Sequence, residues 1–199
     1  MPTDRLDNTR REEILDVAAE IFGKKGYRAA TLNDVAKAMG FTRAALYYYF
    51  ENKQEMLAAL SDMAGLHLMT QLDKRLAEDG TTLDKVRGIL LDHASAFIRQ
   101  PRLFSVFQAE VSELPTAARQ RLESGERAYI GAIASLLEVG MDEGTFARRP
   151  AKPSALAMVG MANSVARWYR PQAGLSAKEV GELIVDLCVG GLTTPSALS

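Results

Sequence analysis

Cysteine and histidine are nearly missing from these 199 residues, and that scarcity excludes several kinds of chemistry at once. A single thiol, Cys188, cannot form a disulfide within the chain and suits a reducing compartment. The two histidines, His67 and His93, have no close carboxylate cluster at ligand spacing beside them. No metal site and no cofactor are therefore expected, and each histidine reads as a satisfied core or pocket polar group. Long apolar runs are missing too. The longest mainly apolar stretch, Ala128–Leu137, is about half of the roughly 20 residues a membrane-spanning helix needs. The polar start MPTDRLDNTRREE offers no signal peptide, so a cytoplasmic protein with no membrane partner is expected. The signatures GxSxG, HExxH, GxxxxGK[ST] and GxGxxG do not occur, and nothing else in the sequence argues for an enzyme.

An excess of one charge is absent as well, the formal net charge being −1. Within the first 55 residues, nine basic side chains (Arg5, Arg10, Arg11, Lys24, Lys25, Arg28, Lys37, Arg43, Lys53) face nine acids (Asp4, Asp7, Glu12, Glu13, Asp16, Glu20, Asp34, Glu51, Glu55). Any grip on nucleic acid must come from a local basic surface and not from bulk charge.

What the chain does have is helical periodicity from end to end, and an all-α fold of about nine helices is predicted. Ile14, Leu15, Ala18, Ala19 and Phe22 mark a first helix from about Arg10 to Lys25, stopped by Gly26. Thr31 with Asp34 opens a second, which Gly40 ends. Thr42 caps a third through Phe50, and Asn52 with Glu55 starts a long fourth to about Glu78. Five more follow: Thr81/Asp84 to Gln100, Pro101 to Ser112, Pro115 to about Met141, Pro153 to just before Pro171, and Ser176/Glu179 to Val189. Sustained period-two alternation is absent, so no sheet is expected. The functional boundary falls after residue 52, giving a three-helix unit at 1–52 and a larger helical domain at 53–199.

Between the second and third helices stand only Gly40 and Phe41, with Thr42 as cap, the spacing of a helix-turn-helix. Leu46 and Phe50 face inward four apart, which turns Ala44, Ala45 and Tyr48 outward with Tyr47 at the edge. Arg43 sits in the first turn, where a recognition helix meets base edges. Alanines permit close approach, arginine bridges guanine O6 and N7, and tyrosine hydroxyls reach phosphates. Thr31 and Thr42 stand at helix N-termini, where free backbone amides suit phosphate oxygens. Lys53, in the first turn of the fourth helix, opposes the helix dipole unless a phosphate lies nearby. Taken alone, tyrosines at helical spacing are core more often than interface, by roughly two to one. The caps, glycine turn, early arginine and following lysine together reverse those odds. A helical adaptor that binds another protein through this face is the rival reading.

Arg10, Ile14, Ala18, Ala19, Phe22, Gly26-Tyr27, Thr31, Val35-Ala36, Gly40, Leu46-Tyr47, Tyr49-Phe50, Lys53 and Leu57, with the run LYYYFENKQEML, make the stretch Arg10–Leu57 resemble one known domain. It is similar to the DNA-binding domain of the tetracycline-repressor (TetR) family of bacterial one-component regulators. The resemblance implies a homodimer on a palindromic DNA operator, usually a repressor, released by a small-molecule effector. It implies DNA roles for Thr31, Thr42, Arg43, Ala44, Tyr47, Tyr48 and Lys53. Tyr49 departs from the pattern, since many members carry histidine there.

The same resemblance implies a ligand pocket in helices four to eight and dimerisation through the last two. Small residues support the dimer, or else pack within the monomer: Ala155, Ala157, Gly160 and Ala162, then Gly181, Val185 and Cys188. Met63, His93, Phe97, Phe104 and Phe107 are the candidate pocket residues, each of which also fits a plain core. Asn163, Arg167 and Arg170, with Trp168 adjacent, are spaced on one helix face. They form either a solvated face or an anion site for phosphate or carboxylate. The segment VARWYRPQAGLSAKEV is similar to C-terminal regions of TetR members that sense acyl-CoA thioesters, which implies a small hydrophobic or acyl-CoA-like effector.

Overall fold

The computed structural model describes residues 2–104, 110–170 and 174–192, and the described regular structure is entirely helical. In chain order the helices are α1 Pro2–Lys25, α2 Leu32–Met39, α3 Arg43–Tyr49, α4 Lys53–Ala77 and α5 Thr82–Arg99. Then come α6 at 101–104, a 3-10 turn at Val111–Glu113, α7 Thr116–Asp142, α8 Ala151–Trp168 and α9 Ala177–Gly190.

Local chemistry sets most helix starts. The side chains of Thr31, Thr81 and Ser176 each accept from the amide three residues on, and Asp34, Asp84 and Glu179 return the bond to the cap's own amide. At α4 the pattern slips by one residue. Asn52 Oδ1 accepts from the Glu55 amide at 2.8 Å, while the Glu55 carboxylate takes the amide of Glu51 at 2.8 Å. Pro150 stands as N-cap of α8, so Pro153 lies in the first turn, where its missing N–H costs nothing.

Two spans differ most from the predicted ones. α1 begins at Pro2 and not near Arg10: among its described side chains the first buried one is Ile14, and the polar sequence before it leaves no periodicity to read. The stretch predicted as one helix over Pro101–Ser112 is helical at 101–104, non-helical at Glu110 and a 3-10 turn from Val111; residues 105–109 lie outside the described set. Pro115 ends that turn, since the residue before a proline is steered to extended backbone, and Leu114 has φ −66° and ψ 139°.

Packing divides the chain into two compact units, one of Met1–Gly65 with Arg102–Glu123, the other of Leu66–Pro101 with Ser124–Ser199. The boundary expected after residue 52 is a functional one; by packing, the first half of α4 and the segment 102–123 go with the first three helices. In the first unit α1 packs on α2 and α2 on α3, around fully buried Ile14, Phe22, Val35, Leu46, Phe50 and Met56. In the second unit α5 lies against both α8 and α9, over a core that includes Leu72, Leu90, Ile133, Leu137, Val165 and Val185. Arg75 fastens α4 to α5 there, with bonds of 2.6 and 3.1 Å to Asp92 and one of 2.8 Å to Glu78.

The small residues expected to face a second subunit divide between two jobs. Ala155, Ala162, Gly181, Val185 and Cys188 are buried inside the chain, on the two helices against which α5 packs. A Cβ on Gly181 would stand 2.9 Å from the Leu91 side chain. Ala157 and Gly160 remain exposed, in company with Leu156 and Met161 on α8 and Leu183 and Leu187 on α9. Among the described residues, no helix is long and apolar enough to cross a membrane.

Candidate nucleic-acid interface

The turn between α2 and α3 is made by Gly40. Its φ of 67° is a left-handed value that a side chain would oppose. This lets the Gly40 amide reach the Lys37 carbonyl at 3.2 Å and the Phe41 amide reach Ala36 at 2.8 Å, a paired closure that satisfies the end of α2. Phe41 is half-buried beside it. Thr42 Oγ1 then accepts from the Ala45 amide at 3.1 Å, and its hydroxyl hydrogen is left to donate outward.

α3 has two opposite faces. Leu46 and Phe50 are completely buried and hold it to the first unit. Arg43, Ala44, Tyr47 and Tyr48 are exposed, Tyr48 to 75 %. The Arg43 guanidinium donates to the Tyr47 hydroxyl at 3.1 Å and lies 5.1 Å from its ring centre, which extends the charge along the outer face. Tyr49 is half-buried, meets Tyr48 edge-on at 5.1 Å, and burial with the Asp7 carboxylate raises its hydroxyl pKa.

Thr31 stands at the head of α2 with its donors committed. Its amide and hydroxyl both give to Asp34, at 2.9 and 2.8 Å. Hydrogen bonds from Lys25 and Thr31 hold the Asp34 carboxyl down at about 2. The Lys25 ammonium, 2.6 Å away, balances its charge. The amides that helix geometry leaves for an anion at this end are those of Leu32 and Asn33.

Lys53 is the residue whose surroundings differ most from expectation. Its ammonium donates to the carbonyls of Tyr27, Arg28 and Ala30 at 2.8, 3.2 and 3.0 Å, over the Tyr27 ring at 4.3 Å. In the chain without DNA, the cation in the first turn of α4 is balanced by the chain's own carbonyls. Arg11, which sequence reasoning passed over, holds the other end of α3. It donates to the Tyr49 carbonyl at 2.6 Å and to Glu55 at 3.1 Å, and lies 4.1 Å from the Phe50 ring centre. A cation at a helix C-terminus is favourable.

The candidate effector residues are brought together only in part. In the second unit His93 is buried, stacks on Phe97 at 4.9 Å, and bonds Tyr129 through Nδ1 at 2.9 Å and Asn163 through Nε2 at 2.7 Å. A carbonyl oxygen only accepts, so Nε2 carries the proton and the Tyr129 hydroxyl donates to Nδ1. Burial pushes His93 down to about 4, the bond to Asn163 opposing. Burial also raises the Tyr129 hydroxyl. Arg167 and Trp168 are exposed at the end of α8, the Trp168 indole donating to Ser164 Oγ at 3.1 Å. Arg170 lies beyond the helix, because Tyr169 is already extended at ψ 132°, so the continuous face of Asn163, Arg167 and Arg170 does not form. Met63, half-buried, and Phe104, fully buried, belong to the first unit, and Phe107 lies outside the described residues. His67, expected in a core or pocket, is exposed on α4.

A glycine-turned helix pair whose second helix offers arginine, alanine and tyrosine outward defines a helix-turn-helix DNA-binding regulator. Residues 14–60 match the family model for bacterial regulatory proteins of the tetR family, and residues 79–192 match a tetracyclin repressor-like C-terminal domain. The chain belongs to the TetR family of transcriptional regulators, a class of DNA-binding proteins and not of enzymes. It is 27% identical over 190 residues to the HTH-type transcriptional repressor KstR2 of Mycobacterium tuberculosis, covering 94% of each chain. Among solved structures it is similar to the TetR family regulator PfmR of Thermus thermophilus, with 29% identity, TM-score 0.83, and 91% and 99% of the two chains covered. It shares its fold with AibR in complex with isovaleryl coenzyme A and operator DNA, at 18% identity and TM-score 0.81, over 89% and 97% of the chains.

Proposed function

We propose that this regulator is a cytoplasmic homodimeric repressor that holds a palindromic operator and releases it when an acyl-CoA thioester or similar small hydrophobic effector binds. The observation that carries the reading is the outer face of α3. Arg43 and Ala44 read base edges, Tyr47 and Tyr48 reach phosphates, and the caps at Thr31 and Thr42 offer amides and a hydroxyl to the backbone. Residues 1–52 form the reading head, and 53–199 the sensing and dimerising part. Leu156, Met161, Leu183 and Leu187 are exposed apolar side chains on α8 and α9, where a second copy would cover them. Two copies place their recognition helices about 34–36 Å apart, or at a multiple of that spacing, to meet successive major grooves.

For the effector, His93, Phe97 and Asn163 supply an apolar wall with one amide group, and Arg167 with Trp168, both still on α8, a cationic, aromatic end for a phosphate or carboxylate. The resemblance of VARWYRPQAGLSAKEV to acyl-CoA sensors supports this class. So does the binding of isovaleryl coenzyme A by AibR, a relative in fold. α4, with residues in both compact units, carries the response, and the effector acts only so far as it binds the released state more tightly.

Electrophoretic mobility shift on the promoter of the protein's own operon tests the proposal. The wild type gives a shifted band that weakens steeply with salt. The variant Leu187→Glu sediments as a monomer and loses the band. No band at any salt concentration would refute the operator reading.

A further inference from the structure

We infer that the Asn163 amide is a specificity-determining donor that reads a carbonyl oxygen of the effector, its direction set by Tyr129 and His93 behind it. Three polar groups stand in a row across α7, α5 and α8, all within the second unit. The Tyr129 hydroxyl meets His93 Nδ1 at 2.9 Å, and His93 Nε2 meets Asn163 Oδ1 at 2.7 Å. Phe97 lies flat on the imidazole, ring centres 4.9 Å apart and planes 16° from parallel.

Only one direction along this row pairs every buried hydrogen. With the phenol donating to Nδ1, the proton on Nε2 donates to Oδ1, and both buried hydrogens are used. Reversed, the amide of Asn163 would donate to Nε2, and Nδ1–H to the phenol oxygen. The hydroxyl hydrogen of buried Tyr129 would then be stranded, since His93 is its one hydrogen-bond partner among the described residues. A buried donor without an acceptor is costly. Asn163 is therefore held by its oxygen, and what it has left to offer is its pair of N–H donors. It is half-buried on α8, and its amide nitrogen has no partner among the described residues.

A polar network does not by itself make a core more stable than apolar filling would. What this row adds is direction, with donors and no acceptor presented where the core meets its edge. It is also uncharged at neutral pH, because burial holds His93 down to about 4. Its offer is a hydrogen bond and not an ion pair, which suits the carbonyl of a thioester.

The inference rests on the proposed effector class, and one arm of its test needs no effector. In the free protein, nitrogen NMR is expected to find the His93 proton on Nε2, and Tyr129→Phe to mix the two tautomers. A wild-type proton on Nδ1 overturns the inference alone, whatever the effector is. The second arm is calorimetry with acyl coenzyme A thioesters from acetyl to palmitoyl. For the tightest of them it adds the thioether that has a methylene in place of the carbonyl. The wild type is expected to bind the thioester about tenfold more tightly than the thioether. Asn163→Leu and Asn163→Asp are both expected to bind the two alike; the aspartate keeps the shape and the acceptor but has no N–H. Retained preference in either variant overturns the inference, as does a wild type that does not distinguish the pair. Binding of no thioester, with the proton found on Nε2, overturns the effector class and the inference with it.

Discussion

Acidification is predicted to weaken the fold through one side chain. His93 is buried and neutral, its pKa depressed to about 4 from an ordinary 6.5. Between those values the unfolded chain takes up a proton that the folded chain refuses, so the stabilising contribution is complete above pH 6.5 and lost as pH falls toward 4. Each unit of that interval is worth about 1.4 kcal/mol, and the whole about 3 kcal/mol, a large part of a typical 5–15 kcal/mol. Urea unfolding at fixed protein concentration, from pH 7.5 to 4.5, measures it. Other groups titrate in this range, so the quantity to follow is wild type minus His93→Gln. That difference should be flat above pH 7 and then decline with a slope approaching 1.4 kcal/mol per pH unit. A constant offset from imperfect packing of glutamine cancels out. If the difference stays level down to pH 4.5, His93 charges as easily in the fold as outside it, and the reasoning fails.

Two further predictions concern the recognition face and the second unit. Tyr47→Ala should weaken binding to all DNA and Arg43→Ala should relax base preference. Because the two side chains touch at 3.1 Å, their double-mutant cycle should depart from additivity by at least about 0.5 kcal/mol. Strict additivity in titrations against operator and scrambled DNA would show that the contact has no part in binding. Gly140→Ala should cost about 1–3 kcal/mol and several degrees of melting temperature, because the new Cβ would lie 2.3 Å from the buried ring of Phe146. An unchanged melting curve would mean that Phe146 is free to step aside.

What was legible in the sequence was local. Thr31, Thr81 and Ser176 announce their helices because the partner of each cap is three residues away. The outer and inner faces of α3 follow from the spacing of Leu46 and Phe50 alone. What stayed hidden depends on distant partners. Nothing near Lys53 says that its ammonium closes on carbonyls of residues 27–30, nor that Arg11 reaches the Tyr49 carbonyl 38 positions on. His93 was singled out as rare, yet Tyr129 and Asn163, which complete it, lie 36 and 70 residues away. Small residues mark a close approach without naming the neighbour, which is why Gly181 was assigned to a second subunit when it makes room for Leu91. The anion face failed for a subtler reason: spacing on a helix means nothing past its last turn, and Tyr169 is already extended.

The seven residues of α3 are secured entirely from behind, by Leu46, Phe50 and the grip of Arg11 on the Tyr49 carbonyl. Positions 43, 44, 47 and 48 lie outside the buried core. Selection is at liberty to rewrite them one by one, and a lineage carrying this scaffold can adopt a new target site without passing through an unstable ancestor.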